Sequence, residues 1–431
     1  MMRKRRSCEL IELVGLISGL CLIGVALHFD IDADGAVRYS MLKTLVHDHR
    51  LTADKYSAVQ SIFAIPLYIV GDTLGQPERF VARFNLIVFS VMLAVLYRRL
   101  SKTIDPALLR WWFLTMLACS MFLHHVRMFF TELLSAALVV VGLVCLLTGS
   151  PVVGASALCL GVVNSPALLV GLVCVSAVMS WQEKRPRYLL LPVVAMSAIL
   201  VEGWIRRGNP FITGYEHESL LTNAITPAGV SGFTQPFVLG FISIFFSYGK
   251  GLFFFAPGLF LATGDQQPAL LRRLHGLLLA MLAGMVVVYA KWWGWYGGWF
   301  WGPRYFLLAS VPASLSVVQC LRDRSASPTK NLTVLCVLVL SAWVGITGGI
   351  FGLDQLAKIG TANNYALEYW TWYVPSFSPL WYPFIEHRPL TFRDFAVGLY
   401  VILVVTYLST SFLDRFQQAS RGRVQAEDHG E

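Results

Sequence analysis

Charged residues are scarce in this sequence. Asp, Glu, Lys and Arg make up 14% of its 431 residues, and the mean hydropathy is +0.61. Soluble domains have about 25% charged residues. No stretch longer than about 45 residues lacks an apolar run that approaches the length of a membrane span. This composition excludes a soluble domain with one anchor and predicts an all-α polytopic membrane protein.

Several functional patterns are also absent. The eight cysteines show no C-x-x-C spacing, which argues against a disulfide framework or a cysteine metal site. There is no Walker A sequence to indicate nucleotide hydrolysis, and no internal repeat to favour a transporter built from inverted repeats. The net charge of +9 comes from short basic clusters between apolar segments, so it does not indicate nucleic-acid binding.

The N-terminal stretch 1–30 combines a basic start with an apolar run. It lacks a small-x-small cleavage site before the acidic residues that follow. We therefore predict an uncleaved first span whose N-terminus is cytoplasmic, in preference to a signal peptide that is removed.

Apolar segments predict about twelve membrane spans within a single membrane domain, residues 1–431. Asn, Ser and Pro in "VVNSP" divide the long stretch 151–181 into two short helices, and "SYGKG" interrupts another span. The predicted spans are 11–28, 83–98, 107–123, 128–148, 151–163, 165–181, 188–205, 237–264, 276–290, 304–321, 331–350 and 394–413.

The basic clusters set the predicted orientation. If the apolar segment 57–75 does not span, most clusters fall on the cytoplasmic side, together with a tail at 414–431; Arg206 and Arg207 are exceptions. We therefore predict that 57–75 is a juxtamembrane element. The extracytoplasmic side then receives the loops 29–82, 206–236, 291–303 and 351–393, which hold most of the polar and aromatic residues.

The first of these loops carries candidate catalytic carboxylates. Asp30, Asp32 and Asp34 alternate after the first span. A carboxylate at a membrane surface can act as a base toward an acceptor or hold a divalent metal, and solvated loop acids are the alternative. The neighbouring His47-Asp48-His49 could bind metal, although an exposed polar turn fits it better.

The same loop resembles the GT-C superfamily of membrane glycosyltransferases, which use polyprenyl-phosphate-linked sugars. This superfamily includes protein O-mannosyltransferases and lipid A aminoarabinose transferase. The similarity rests on a first span, a "D-x-D-G-x-x-x-Y" loop, a short helix "SMLKTLVHDHRL" and the apolar segment "AIPLYIVG". It implies a GT-C-like fold with extracytoplasmic juxtamembrane helices. It also implies a catalytic acid, either Asp34, which precedes Gly and the Tyr39 helix, or Asp32.

The middle of the chain is similar to the superfamily in three further segments. "HHVRMFFTELL" resembles the start of its fourth span and places Glu132 about one turn inside the membrane, as a substrate-binding residue or as an interfacial partner of Arg127 or His125. "GNPFITGYEHESL" contains Tyr215, a predicted substrate-binding residue, and precedes a glycine-rich turn that contains Lys250. The resemblance implies that Lys250 binds the donor phosphate, whereas snorkelling to headgroups is the alternative.

The third segment is "WWGWYGGWFWGPRYF", similar to a Trp-Gly-Gly-x-x-x-Gly-Pro-Arg-Tyr pattern in a bacterial subgroup. It implies that Arg304 binds the donor phosphate, because a guanidinium binds phosphate bidentately. Trp295, Trp299 and Tyr305 are predicted to line the sugar site, with an interfacial aromatic belt as the alternative. A belt requires neither Gly-Gly nor Gly-Pro-Arg.

The expected function is transfer of a sugar from a polyprenyl-phosphate carrier to a glycan, lipid or protein acceptor, in a bacterial cytoplasmic membrane and on its extracytoplasmic face. The loop 351–393 is expected to contribute to acceptor recognition. No metal is expected to be essential, although a divalent cation could take part. Two alternatives remain: a lipid-linked oligosaccharide flippase, and an O-antigen polymerase or ligase with paired arginines such as Arg206/Arg207 and Arg388/Arg393.

Overall fold

The computed structural model of the chain is helical, and it describes residues 2–214, 232–263, 267–323, 325, 327–364 and 366–428. The helices of the first half are α1 (Met2–Ala26), α2 (Ala33–His47), α3 (Val59–Thr73), α4 (Pro77–Val81), α5 (Phe84–Leu100), α6 (Pro106–Ala118), α7 (Phe122–His125), α8 (Thr131–Leu147), α9 (Pro151–Asn164), α10 (Leu169–Glu183) and α11 (Leu190–Arg207). Those of the second half are α12 (Phe237–Phe246), α13 (Leu252–Phe255), α14 (Ala269–Lys291), α15 (Ser310–Arg322), α16 (Pro328–Ile346), α17 (Asp354–Ala362), α18 (Trp370–Tyr373) and α19 (Phe392–Asp428).

Eight helices in the described part of the chain are long and apolar enough to cross a membrane. They are Cys8–Ala26, Pro77–Leu100, Pro166–Glu183, Pro186–Arg207, Ala269–Lys291, Arg304–Arg322, Pro328–Phe351 and Phe392–Thr410. Several of them include a short 3₁₀ or π segment next to the α-helix, such as the 3₁₀ turn Arg304–Ala309 and the π turn Thr347–Phe351. The chain is therefore an all-α polytopic membrane protein.

The remaining predicted spans coincide with shorter helices. The segments 107–123, 128–148, 151–163 and 237–264 correspond to α6, α8, α9 and α12, which have 13, 17, 14 and 10 residues. At 1.5 Å per residue they are shorter than the roughly 30 Å of a hydrocarbon core. The juxtamembrane element predicted at 57–75 is α3, with 15 residues. Both the count of about twelve spans and the non-spanning position of α3 stay predictions.

Small residues allow the helices of the bundle to pack closely. Gly142 on α8 faces Gly154 on α9, and a Cβ added to Gly154 would lie 2.7 Å from the Gly142 carbonyl oxygen. Close backbone approach at small residues is how helices associate where lipid removes the hydrophobic driving force. The closely packed α8–α9 pair carries Glu132 in the first turn of α8.

The first loop is more helical than its sequence suggested. The short helix expected from Ser40 begins instead at Ala33 and ends at His47. Asp32 is extended, and its carbonyl oxygen accepts hydrogen bonds from the amides of Gly35 and Ala36 at 2.8 and 3.1 Å. The helix therefore starts immediately after Asp32, which places Asp34 in its first turn.

The C-terminal tail also differs from expectation. The predicted span 394–413 and the predicted tail 414–431 belong to one continuous helix, α19, which runs to Asp428. The sequence carries no Pro or Gly near residue 413 that would end the helix. The cytoplasmic location of this end stays a prediction.

Candidate active site

Asp34 and Glu132 come together because the start of the first loop is tied to the segment before α8. The Asp30 amide donates to the Arg127 carbonyl oxygen at 3.1 Å, and Asp30 forms an isolated parallel bridge with Met128. Gly35 then lies so close to this segment that an added Cβ would meet the Phe129 carbonyl oxygen at 3.1 Å. The first turns of α2 and α8 therefore meet.

Arg304 joins these two carboxylates. It follows Pro303 at the start of a 3₁₀ turn, and its side chain is only 6% exposed. Its Nη2 lies 2.8 Å from Oδ2 of Asp34, and its Nε lies 3.6 Å from Oε1 of Glu132. The Phe300 ring lies 4.0 Å from the guanidinium carbon. The sequence prediction placed these three residues on one face of the membrane, and the structure brings them into contact.

Two further side chains complete what we call the Asp34 cluster: Asp34, Arg38, Tyr56, Glu132 and Arg304. Tyr56 is hydrogen bonded to Asp34 through its side chain, and its ring lies 4.3 Å from the guanidinium carbon of Arg38. Burial acts to raise the pKa of Asp34, but the charge of Arg304 and the hydrogen bonds from Tyr56 and Arg304 outweigh it. The pKa of Asp34 therefore lies below its ordinary value, and the carboxylate is ionised at neutral pH.

Asp32 occupies a different environment from Asp34. It is exposed at the N-terminal end of α2, and its carboxylate makes no capping hydrogen bond there. Desolvation and the nearby charge of Asp30 raise the pKa of Asp32 above its ordinary value. Of the two aspartates that the resemblance left open, the geometry favours Asp34, because it alone contacts Arg304.

Lys250 has a different set of partners from the one predicted for it. Its ammonium is buried and donates to the carbonyl oxygens of Gly298 and Gly302, at 3.1 Å each, and of Phe300. An ammonium has three donors, so these three bonds use all of them. In this structure Lys250 holds the backbone that carries Arg304, and a phosphate contact would require it to release one of these carbonyls.

We call residues 292–303 the Trp-rich loop. Gly297, Gly298 and Gly302 have φ values of +80°, +76° and +66°, a conformation that glycine adopts without steric cost. These turns point three carbonyl groups toward Lys250. The glycines and Lys250 therefore shape the loop together.

The two tryptophans predicted to line the sugar site, Trp295 and Trp299, pack against the loop 351–393. Trp295 is 4% exposed and packs edge-on against Trp372, with centroids 5.7 Å apart. The Trp299 ring lies against Gly360, where an added Cβ would come within 2.6 Å of it. Both indoles thus join the Trp-rich loop to the predicted acceptor loop, and their contact with a sugar stays a prediction.

Tyr305 lies nearer the Asp34 cluster. Its ring stacks on Tyr289 with centroids 4.5 Å apart, and both side chains line a small cavity together with Glu132. Tyr215, the remaining predicted substrate-binding residue, lies outside the described residues.

Glu368 was not identified from the sequence. It is buried, and it is close enough to the Tyr296 hydroxyl and to the Lys250 ammonium for both to lower its pKa. Desolvation raises the pKa of Glu368, and the Lys250 charge opposes that shift in part. Tyr296 also stacks on Trp372 at 3.9 Å between centroids. Glu368 is one of three acids in the loop 351–393, and its position there gave no sequence signal for this pairing.

The paired arginines bind other parts of the protein. Arg206 donates to the carbonyl oxygens of Thr52 and Asp54 at 2.9 Å each and pairs with Glu202 at 3.0 Å. Arg388 pairs with Asp394 at 3.0 Å. Arg206 therefore anchors the first loop to the end of α11.

Within the described residues, no group of three or more His, Cys, Asp or Glu side chains is arranged to hold a metal ion. The eight cysteines are free thiols. Comparison of the chain with protein-family models and with curated proteins found no match to either.

Proposed function

We propose that this protein is a glycosyltransferase that moves a sugar from a polyprenyl-phosphate carrier to an acceptor on the extracytoplasmic side of a bacterial cytoplasmic membrane. The observation that carries the proposal is the ion pair between Asp34 and Arg304, with Glu132 beside it. The resemblance implied a base at Asp34 and a phosphate-binding cation at Arg304, and the contact between these residues, 270 positions apart in the sequence, supports the proposal.

The proposed reaction is an inverting displacement at the anomeric carbon. The acceptor hydroxyl oxygen forms a bond to that carbon while the bond to the phosphate oxygen breaks, and the electron pair leaves with the phosphate. Asp34 takes the hydroxyl proton as a general base, for which its ionised state is required. Arg304 stabilises the charge that develops on the leaving phosphate. No step requires a metal.

The two substrates would reach this site from different sides. The lipid carrier would enter laterally from the bilayer, beside the cavity lined by Glu132 and Tyr305. The acceptor would approach beneath the loop 351–393, which packs over the Trp-rich loop through Trp372. This division supports a two-substrate enzyme on one face of the membrane.

A lipid-linked oligosaccharide flippase is the main alternative. A flippase requires polar groups that face a path through the bilayer, whereas the buried charges near the other end of the span Cys8–Ala26, Glu12 and Arg110, are paired with each other at 2.5 Å. The polymerase or ligase alternative drew on paired arginines, and Arg206 and Arg388 are occupied by structural contacts. Neither alternative gains support from these residues.

The test is a transfer assay in membranes that contain the full-length protein and radiolabelled polyprenyl-phosphate sugars. We expect label to move from the carrier to an envelope acceptor with the wild type. Asp34→Asn should reduce the rate roughly 10²- to 10⁴-fold, the usual contribution of a general base. Asp32→Asn is the matched control and should stay near wild type.

Two results would contradict the proposal. Labelled carrier that crosses the bilayer without transfer of its sugar would favour the flippase. Full transfer by both Asp34→Asn and Arg304→Ala would show that the reaction occurs elsewhere in the protein.

A further inference from the structure

Arg38 is a buried cation whose donors are not all used. Its residue is 3% exposed, and its Nε and Nη1 have no hydrogen-bond partner among the described residues. Its guanidinium packs on the Tyr56 ring at 4.3 Å, which accepts no conventional hydrogen bond. Buried polar groups in native proteins nearly always have a partner, and each exception requires an explanation.

The same condition affects its neighbours in the Asp34 cluster. Nε and Nη1 of Arg304 and Oε2 of Glu132 are buried without a hydrogen-bond partner in the described chain. An unpartnered buried donor costs more free energy than a formed bond contributes. Unused donors on two guanidiniums in one cluster are available to an acceptor that binds there.

Arg38 lies beside the other unpartnered groups of the Asp34 cluster because of its position on α2. It lies four residues after Asp34, so the two side chains share one face of the helix. The carboxylates of Glu132 and Asp34 both act on the pKa of Arg38, which burial lowers. Arg38 therefore faces the two carboxylates that Arg304 bridges.

We propose that Arg38 and Arg304 together bind the phosphate of the lipid-linked donor, with Arg38 as a substrate contact that neither the resemblance nor the motif pattern assigned. This inference rests on the proposed function. Arg304 keeps Asp34 on its Nη2. Its Nη1, and its Nε at 3.6 Å from Glu132, make no hydrogen bond among the described residues, so both can donate to the phosphate. Arg38 offers a second guanidinium fork, the geometry that matches phosphate oxygens.

This arrangement gives the two arginines different tasks. Arg304 contacts both the proposed base, Asp34, and the phosphate that leaves, whereas Arg38 contacts the phosphate and not the base. The Lys250 ammonium is occupied by three loop carbonyls, so it supplies no donor while the loop keeps this conformation.

The experiment is a binding titration of the purified full-length protein with farnesyl phosphate as the probe and farnesol as its uncharged counterpart. Native mass spectrometry provides the bound fraction. We expect Arg38→Gln to weaken farnesyl phosphate binding roughly 10- to 100-fold and to leave farnesol binding unchanged. Lys43→Gln is the matched control, because Lys43 is an exposed cation on the same helix.

A second variant covers the case in which Arg38→Gln does not fold. Arg38→Lys keeps the charge but not the fork, so it should fold and bind farnesyl phosphate less tightly than the wild type. Wild-type affinity in a folded Arg38→Gln or Arg38→Lys protein would overturn the proposal. An equal loss of farnesol binding would also overturn it, because the role of Arg38 would then be structural.

The phosphate could belong to the donor or to a phosphorylated acceptor lipid, and phosphatidic acid separates the two. If phosphatidic acid displaces farnesyl phosphate from the wild type at lower concentration than farnesyl phosphate itself, the donor assignment is wrong. Arg38-dependent binding without any sugar transfer would support the phosphate site and contradict the glycosyltransferase. If an Arg38→Gln protein transferred sugar and kept wild-type affinity for farnesyl phosphate, the glycosyltransferase would be supported and the Arg38 phosphate site would be contradicted.

Discussion

Two buried charge clusters lie near opposite ends of the apolar span Cys8–Ala26 and differ in how many of their buried polar atoms are hydrogen bonded. The first, which we call the Glu12 cluster, consists of Glu9, Glu12, Tyr97, Arg110, Trp111 and Tyr407. Oε2 of Glu12 accepts from Arg110 at 2.5 Å, and its Oε1 accepts from Trp111 and Tyr407 at 2.7 Å each. Neither Glu12 nor Arg110 has a buried polar atom without a partner in the described structure.

The Asp34 cluster contains two arginines and two carboxylates, yet four of its buried nitrogens and one of its oxygens lack hydrogen bonds within the described residues. Both clusters desolvate charge, which is expensive in either place. In the Glu12 cluster the hydrogen bonds have only a structural effect, because they hold α1, α6 and α19 together. The Asp34 cluster keeps donors available, as expected for a site that stabilises charge on a substrate.

The largest expected effect concerns the Glu12 cluster. Glu12→Ala removes the nearer of the two counter-ions of the buried Arg110, leaving Glu9 at 3.4 Å, and removes the acceptor for Trp111 and Tyr407. Loss of one partner from a buried pair costs about 3–5 kcal/mol of the free energy of unfolding. We expect a clear fall in the melting temperature in detergent, with unchanged transfer per folded molecule.

The double variant Glu12→Leu with Arg110→Leu is the control, because replacing both partners with apolar residues is often neutral. It should recover most of the lost stability. Loss of transfer by folded Glu12→Ala protein would show that the two clusters do not divide structure from function as we describe.

The next effect concerns Arg304→Lys in the Asp34 cluster. Lysine keeps the charge but cannot contact Asp34, Glu132 and a phosphate with a planar fork. We expect the sugar-transfer rate to fall roughly 10²-fold, as for removal of one preorganised donor to a developing charge. Arg79→Lys, an exposed arginine of the first loop, should stay near wild type. A melting temperature that falls as far as in Glu12→Ala would assign Arg304 a structural role instead.

These two clusters also show how much of the fold and of the candidate site could be predicted from the sequence. The polytopic helical fold follows from hydropathy, and Asp34 and Arg304 could be predicted on one face because basic clusters encode orientation. Arg38 was missed because the motif drew attention to Tyr39, whose ring instead lies 6.0 Å from that of Tyr68. The i,i+4 spacing of Asp34 and Arg38 would have indicated a shared face, had α2 been predicted to start at Ala33.

The partners of Lys250 could not have been predicted in the same way. A cation in a glycine-rich break of a span requires an acceptor, and the sequence pattern is the same whether that acceptor is a phosphate or a set of carbonyls. The three carbonyls point inward only because Gly297, Gly298 and Gly302 turn the backbone. Glu368 arrives from a loop distant in sequence, where no periodicity or spacing links it to Lys250.

An intermediate effect is therefore expected for Lys250→Met. Methionine fills similar space but donates to none of the three carbonyls, so the Trp-rich loop loosens and Arg304 is less well positioned. We expect kcat/KM for transfer to fall about tenfold, by analogy with the loss of a supporting contact. The loop contains five tryptophans, so intrinsic fluorescence should change as well.

Lys291→Met is its control, because Lys291 is an exposed cation at the end of α14, next to the same loop. It should change neither quantity. A loss of donor affinity by Lys250→Met with unchanged tryptophan fluorescence would favour the direct phosphate contact that the resemblance implied.

The smallest effect should come from Tyr56→Phe, which removes one hydroxyl and keeps the ring beneath Arg38. The hydroxyl donates to the ionised Asp34 and so helps to hold the pKa of Asp34 below its ordinary value of 3.8. Without it the neutral form is favoured, and the pKa of Asp34 rises. The acid limb of the kcat/KM profile for transfer should therefore move to higher pH, with little change at neutral pH. Tyr39→Phe, one residue beyond Arg38 and in contact with Tyr68, should leave that limb where it is. An acid limb that moves to lower pH in Tyr56→Phe, or moves equally in both variants, would mean that Asp34 is not the base that the limb reports.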